Sequence, residues 1–326
     1  MRVLVTGGSG FIGSHVIDRL LASGHEPRIF DLVASRRHGH DQVERVLGDI
    51  LDGAVLRRAM RGCDAVIHLA AVADVGDVVA DPMRADLVNT RGTAMVLQAA
   101  RDESVHVVYG STIWVYGNAP ASDPLDEDVL LAPPEHFYTA TKLAGEMYCR
   151  SYGQMFGMTP TILRFGIPHG PGARLTTVVA SFVARALAGE PLRINGDGNQ
   201  VRQFVYVKDL ADGIVAALTR AAHGRTYNLV GDESVSVREI AAIVQRLIAN
   251  VSIVHVSGRA GDLGSVRISG QRALDELGWR ATTAFADGIE LYVASLTVTN
   301  GSPSRAADSK IFGSAAAVLA QESGAL

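Results

Sequence analysis

Tyr138 and Lys142 stand four residues apart in Tyr138-Thr139-Ala140-Thr141-Lys142, a spacing that puts a phenol and an ammonium on one face of a helix. An ammonium beside a phenol favours the phenolate and pulls the tyrosine pKa down, which makes the pair a candidate base near neutral pH. YxxxK is short enough to recur by chance, so position has to carry the reading. Ser111-Thr112 ends an apolar run one loop upstream, where a hydroxyl can share the proton of a substrate oxygen.

A second chemical cluster opens the chain. Gly7-Gly8-Ser9-Gly10-Phe11-Ile12-Gly13 follows the apolar Val3-Leu4-Val5 and leads into a helical pattern. Gly7 permits a tight turn, Gly10 lets backbone amides approach a pyrophosphate, and Gly13 lets the helix pack on a sheet. Gly7, Gly10, Phe11, Ile12 and Gly13 are therefore expected to hold a dinucleotide. Asp31 follows Gly13 by 18 residues at the end of the next apolar run, where a carboxylate accepts ribose hydroxyls and repels a 2′-phosphate, so NAD is favoured over NADP. Arg36-Arg37 is the competing signal. Asp49 and Ile50, in Gly48-Asp49-Ile50, are placed at the adenine edge, with capping of the following helix as the other reading of Asp49. His68-Leu69-Ala70-Ala71 ends a further run. Leu69, Ala70 and Ala71 leave room for a cofactor, and His68 reads as a packed strand residue.

These groups need a sheet whose strand ends converge. Strands are predicted at Arg2-Val5, Glu26-Phe30, Val43-Leu47, Ala65-Leu69, Val105-Tyr109 and Thr161-Phe165, with helices at Gly13-Ala22, Ala54-Arg61, Arg84-Arg101 and Tyr138-Phe156 between them. Strictly alternating elements make an α/β fold, a Rossmann-type doubly wound parallel sheet. Residues 1–165 are read as the NAD-binding domain, to which 200–225 return. Residues 166–296 form a smaller substrate-binding lobe with Gly/Pro-rich turns, and 297–326 a peripheral tail. Asp209 is expected to cap a helix to Leu218, and Ser236-Val237-Arg238-Glu239 reads as a capping box.

Composition excludes several classes. Apolar residues are 48% of the 326 and charged ones 20%, an ordinary globular mixture. The formal charge of −4, with no basic block beyond Arg36-Arg37, argues against nucleic acid or an anionic membrane as partner. No apolar window is long enough to span a bilayer, and no signal-like segment precedes the first glycine cluster, so a cytoplasmic location is expected. Cys63 and Cys149 lack ligand spacing and read as core thiols, and no metal is expected.

In order, TGGSGFIG, GDI, HLAA, Asn89-Thr90-Arg91-Gly92-Thr93, STIWVYG, YTATK, GDGNQVRQFVYVKDLADG and RAGDLGSVR resemble the extended short-chain dehydrogenase/reductase superfamily, in particular its NAD-dependent nucleotide-sugar epimerase/dehydratase family, over about residues 1 to 295. The resemblance implies Tyr138 as base, Lys142 on the nicotinamide ribose, and Thr112 as the assisting hydroxyl that also meets substrate. Arg202 is implied on the nucleotide diphosphate, and Arg259 with Asp262 as a further nucleotide clamp.

Two departures stand out. Family dehydratases and decarboxylases carry carboxylates before VYG, where this chain has Ile113 and Trp114, which cannot transfer protons. Ile167 and His169 replace the family's Asn and Tyr after the sixth strand, leaving Ile167 and Pro168 to offer backbone to the nicotinamide. The resemblance then implies a nucleotide-sugar 4-epimerase acting on a nucleotide-diphosphate sugar, working as a homodimer. A dehydratase or 4-ketoreductase of the same fold is the runner-up, and a non-catalytic NAD-sensing protein the reading from another class.

Overall fold

The computed structural model describes residues 1–117, 124–257 and 267–299. Its first part alternates as β1 (Arg2–Thr6), α1 (Phe11–Ala22), β2 (Glu26–Asp31), β3 (Glu44–Leu47), α2 (Gly53–Met60) and β4 (Ala65–His68). Short helices α3 (Val75–Ala80) and α4 (Pro82–Asp86) follow, then a π-helical turn (Leu87–Arg91), α5 (Gly92–Asp102), β5 (His106–Thr112), α6 (Phe137–Phe156) and β6 (Thr161–Phe165). The six predicted strands are all present and pair in parallel. Side chains alternate across this sheet: Val3 and Val5 enter one core cluster with α1, while Leu4 enters the other, with residues of α2 and α5. That two-sided burial is why the strands read as unbroken apolar runs.

The sequence reading ends the sheet one strand short. After β7 (Ile167–His169), α7 (Val178–Leu187), β8 (Leu192–Asn195), β9 (Val201–Tyr206) and α8 (Val207–Ala216), the chain returns and adds β10 (Thr226–Leu229) beside β6. The sheet order is thus β10-β6-β5-β4-β1-β2-β3. Thr226 and Asn228 break the apolar pattern of β10, although all four residues are buried. α8 packs on α1, in the segment expected to return to the first domain.

The remaining elements are β11 (Ser234–Ser236), α9 (Val237–Leu247), β12 (Ile253–Val256), α10 (Gln271–Leu277) and α11 (Phe285–Thr299). β7, β9 and β11 form a three-stranded sheet, and β8 pairs with β12. α7, α9 and α11 cover a separate apolar cluster centred on Phe182, Ile194, Ile240 and Ile289. Ser236 and Glu239 form the expected capping box. α11 runs to Thr299, past the boundary set for the tail at 297, and the rest of that tail lies outside the described residues.

Two local expectations are corrected, and one of two open readings of Asp49 is closed. The single helix expected over Arg84–Arg101 is interrupted by the π turn, which swings Asn89 inward. Its amide accepts from Val72 N at 2.8 Å and donates to Val72 O at 2.9 Å and to Thr141 Oγ1 at 3.0 Å, tying the loop after β4 to α6. Asp52, not Asp49, caps α2. Asp209 does not cap α8: it lies inside the first turn and accepts from the amides of Thr282 at 2.9 Å and Thr283 at 2.7 Å. Asp209→Ala leaves both donors without their acceptor, so the urea midpoint should report a loss of about 1–3 kcal/mol, with Asp209→Asn retaining most of the stability because one amide oxygen remains.

Candidate functional site

At the carboxyl edge of the large sheet lies a cavity of about 540 Å³. It is built first by the turn after β1. Gly7 sits at φ +71°, and a Cβ there would come within 2.8 Å of Ala70 N. The turn and the end of β4 touch backbone to backbone, which only glycine permits. Gly10, Phe11, Ile12 and Gly13 line the cavity from the start of α1, and Leu69, Ala70 and Ala71 line it from β4. A shallow cradle of backbone at a helix N-terminus, closed by small side chains, fits the pyrophosphate of a dinucleotide.

Asp31, Asp49 and Ile50 line the same cavity. Asp31 accepts from Ser9 N at 3.0 Å and from Val33 N at 3.2 Å, so its carboxylate is held facing the cavity. Arg37, the competing signal for a 2′-phosphate, is paired with Asp18 and approaches His15. Arg36 is absent from the lining.

At the other end stand Thr112, Tyr138 and Lys142. β5 brings Thr112 to the edge, where its Oγ1 accepts from Trp114 N at 3.2 Å, and α6 carries Tyr138 and Lys142 on one turn. Ile167, Pro168, Arg174, Thr177 and Asp74 also line the cavity. Thr176 Oγ1 donates to Asp74 Oδ2 at 2.6 Å, joining the segment after β7 to the segment after β4.

The electrostatics differ from expectation at Tyr138. Burial pushes its phenol up to about 12, and the cation that counters this is Arg174, not Lys142. The Lys142 ammonium instead lies over the Tyr109 ring, 4.6 Å from its centroid. Burial pushes Lys142 down to about 8, against the opposing influence of Cys149 and Glu146. His68 is a packed strand residue as expected: Thr6 Oγ1 lies 2.7 Å from its Nδ1 and Thr93 Oγ1 3.1 Å from its Nε2, and burial, then Lys142, hold it neutral at about 3.

The structure thus brings every expected cofactor residue and all three catalytic candidates to one cavity. Arg202 is not among the lining residues; it lies on β9, with Nη1 donating to Val201 O at 2.8 Å. Arg259 and Asp262 lie outside the described residues. Ile113 and Trp114, treated alike in sequence, part company. Ile113 packs into a side cluster with Val115 and Leu125, while Trp114 lines the cavity and meets His136 edge-on. His169 is buried away from the cavity, where its Nδ1 donates to Val205 O at 3.1 Å and burial pushes it down to about 4. Sequence reasoning missed Arg174, Asp74 and Thr177, which sit in turns with no motif to mark them.

A family model described as the NAD dependent epimerase/dehydratase family matches residues 3–230. A UDP-glucose 4-epimerase of Mycolicibacterium smegmatis is 35% identical over 309 residues, covering 89% of this chain and 96% of the relative. A UDP-N-acetyl-alpha-D-glucosaminuronate decarboxylase of Bacillus cytotoxicus is 31% identical over 267 residues, 78% of this chain and 83% of that one. Among solved structures, the UDP-glucose 4-epimerase of Thermus thermophilus in complex with NAD superposes with a TM-score of 0.84 at 33% identity, covering 91% of this chain and 99% of its own. Among the described residues no group of three or more His, Cys, Asp or Glu is placed to hold a metal, and no helix is long and apolar enough to cross a membrane.

The orientation of Asp31 sets the expected cofactor preference. Calorimetry should give NAD a dissociation constant at least tenfold below that of NADP, about 1.4 kcal/mol, and Asp31→Ala should narrow the gap.

Proposed function

Since this chain belongs to the NAD-dependent epimerase/dehydratase family, we propose that it is a nucleotide-sugar 4-epimerase working through a transient 4-keto sugar. The observation that carries the choice within the family is Trp114, an indole lining the cavity beside Thr112 and Tyr138. Elimination of water from the sugar needs a further proton donor and acceptor at that place, and an indole supplies neither. A nucleotide-diphosphate sugar is the substrate class, in keeping with the relatives.

Bound NAD supplies the acceptor, and later the donor, of the hydride at C4 of the sugar. The chain supplies the rest. Tyr138 takes the proton of the C4 hydroxyl, and Thr112 Oγ1, already accepting from Trp114 N, donates its own hydrogen toward the same oxygen. Lys142 meets the nicotinamide ribose. Arg174 opposes the effect of burial on Tyr138, so the phenol's acidity depends on a side chain from outside its own helix. Ile167 and Pro168 offer backbone to the nicotinamide.

We also read the chain as a homodimer, supported by apolar side chains left open on adjoining helices. Val79, Met83 and Leu87 on one side and Met147 and Tyr148 of α6 on the other are exposed, and α3 and α4 pack against α6. Exposed apolar side chains gathered on helices that touch are what an interface between copies would cover.

Two outcomes are expected. Tyr138→Phe should fold and bind NAD while turning over roughly 10²-fold or more slowly, the scale for loss of a general base; turnover within threefold of wild type would remove Tyr138 from that role. Incubated with a panel of nucleotide sugars in deuterium oxide, the enzyme should give, by proton NMR, a C4 epimer with no solvent deuterium on carbon. Deuterium on carbon, or a stable 4-keto product, would point instead to the dehydratase reading.

A further inference from the structure

Behind the catalytic pair lies an ion pair that the reaction above does not use. Glu146, one turn beyond Lys142 on α6, has a side chain 0% exposed, and Arg164 on β6 is 1% exposed. Arg164 Nε donates to Glu146 Oε1 at 3.0 Å and Nη2 to Oε2 at 2.8 Å, while Ser111 Oγ donates to Oε1 at 2.6 Å. Arg164 Nη1 donates to the Tyr116 hydroxyl at 2.9 Å, which donates to Asn228 Oδ1 at 2.8 Å. Taking two ions this deep costs several kcal/mol each, and apolar residues of similar volume often serve stability as well or better. Stability alone is therefore a poor reason for the pair, and its location suggests a better one. Ser111 immediately precedes Thr112, and Glu146 shares a helix face with Lys142.

The surroundings of Lys142 give the carboxylate a task. Tyr109 faces it from β5, His68 from β4, and Tyr138, Glu146 and Cys149 from α6, with Arg164 standing behind Glu146 on β6. Burial holds Tyr109, Tyr138 and Cys149 in their protonated forms and His68 neutral. Glu146 is then the anion facing this ammonium among the described residues.

We propose that Glu146 is a positioning residue for the catalytic pair: clamped by Arg164 and Ser111, it keeps the Lys142 ammonium charged and holds the Ser111-Thr112 strand end against α6. This rests on the reading above for the role of Lys142, but its test needs no substrate. The chain has only three lysines, Lys142, Lys208 and Lys310. In full-length protein labelled with 13C at lysine Cε, three NMR resonances can be titrated, and Lys142→Arg identifies the one of interest. Glu146→Gln removes the anion and leaves Arg164 unbalanced, and both changes disfavour the ammonium, so the Lys142 midpoint should fall by about one pH unit or more. Arg164→Lys keeps both charges but loses the fork. It should melt at lower temperature and leave the midpoint within about 0.3 unit of wild type. If Glu146→Gln does not fold, the double variant Glu146→Gln/Arg164→Gln removes both charges together, and its midpoint should fall by a smaller amount. An unmoved midpoint in whichever of these two folds, or an equal fall in Arg164→Lys, overturns the proposal and leaves the 4-epimerase reading standing. A wrong sugar product in the deuterium experiment would do the reverse.

Discussion

The backbone contact between the first turn and the end of β4 is the constraint on which the site depends. Thr6 and His68 are register partners on β1 and β4, and Thr6 Oγ1 bonds both the His68 ring, at 2.7 Å, and Ala70 N, at 3.3 Å. A side chain at Gly7 would drive these two strand ends apart, and one at Gly13 would overlap the Gly7 carbonyl. With the contact kept, parallel register does the rest. Asp31 ends β2, Thr112 ends β5 and Gly166 follows β6, so groups far apart in sequence arrive along one edge of one sheet. This is the crevice at which open α/β sheets bind ligands.

The same burial that shapes the cavity decides its protonation. Tyr138 is pushed up, and Lys142 and His68 are pushed down, with desolvation the leading cause each time. An apolar wall makes each nearby charge count for more, because there is little solvent to screen it. Arg174 on Tyr138 and Glu146 on Lys142 act in that setting, one from the segment after β7 and one from the next turn of α6.

Sequence showed the six strands, the glycine turn and the Tyr138/Lys142 pair because each has a period or a spacing that repeats physical requirements. β10 is hidden because polar Thr226 and Asn228 interrupt its apolar run, and the partners that let Asn228 be buried are distant in the chain: its Nδ2 donates to Ser269 O at 3.0 Å and its Oδ1 accepts from the Tyr116 hydroxyl at 2.8 Å. Asp209 looked like a cap since a carboxylate near a helix start usually is one, and only the fold brings Thr282 and Thr283 to it. The direction of the Tyr138 shift escapes the sequence for a related reason. Spacing along a helix says that two side chains share a face, but Lys142 meets Tyr109 there, a neighbour from the sheet that no spacing on α6 announces.

What the cavity lacks near Thr112 bears on the chemistry as much as what it holds. Among the described residues three carboxylates line it, Asp31, Asp49 and Asp74, and each is already engaged. Asp31 holds Ser9 N and Val33 N, and Asp49 accepts from Leu51 N at 3.0 Å, both at the end where the adenosine is expected. Asp74 caps α3 and accepts from Thr176. Although burial opposes its charge, bonds from Thr176, Gly76 and Asp77 and the charge of Arg174 hold its pKa below the ordinary carboxyl range. A carboxyl held ionised in this way is poorly suited to donate a proton to a leaving hydroxyl. On the proposed reading, proton traffic at the sugar then falls to Tyr138 and Thr112, which would suit a reaction that removes and restores hydrogen at one carbon and its oxygen better than one that must also expel water from a neighbouring position.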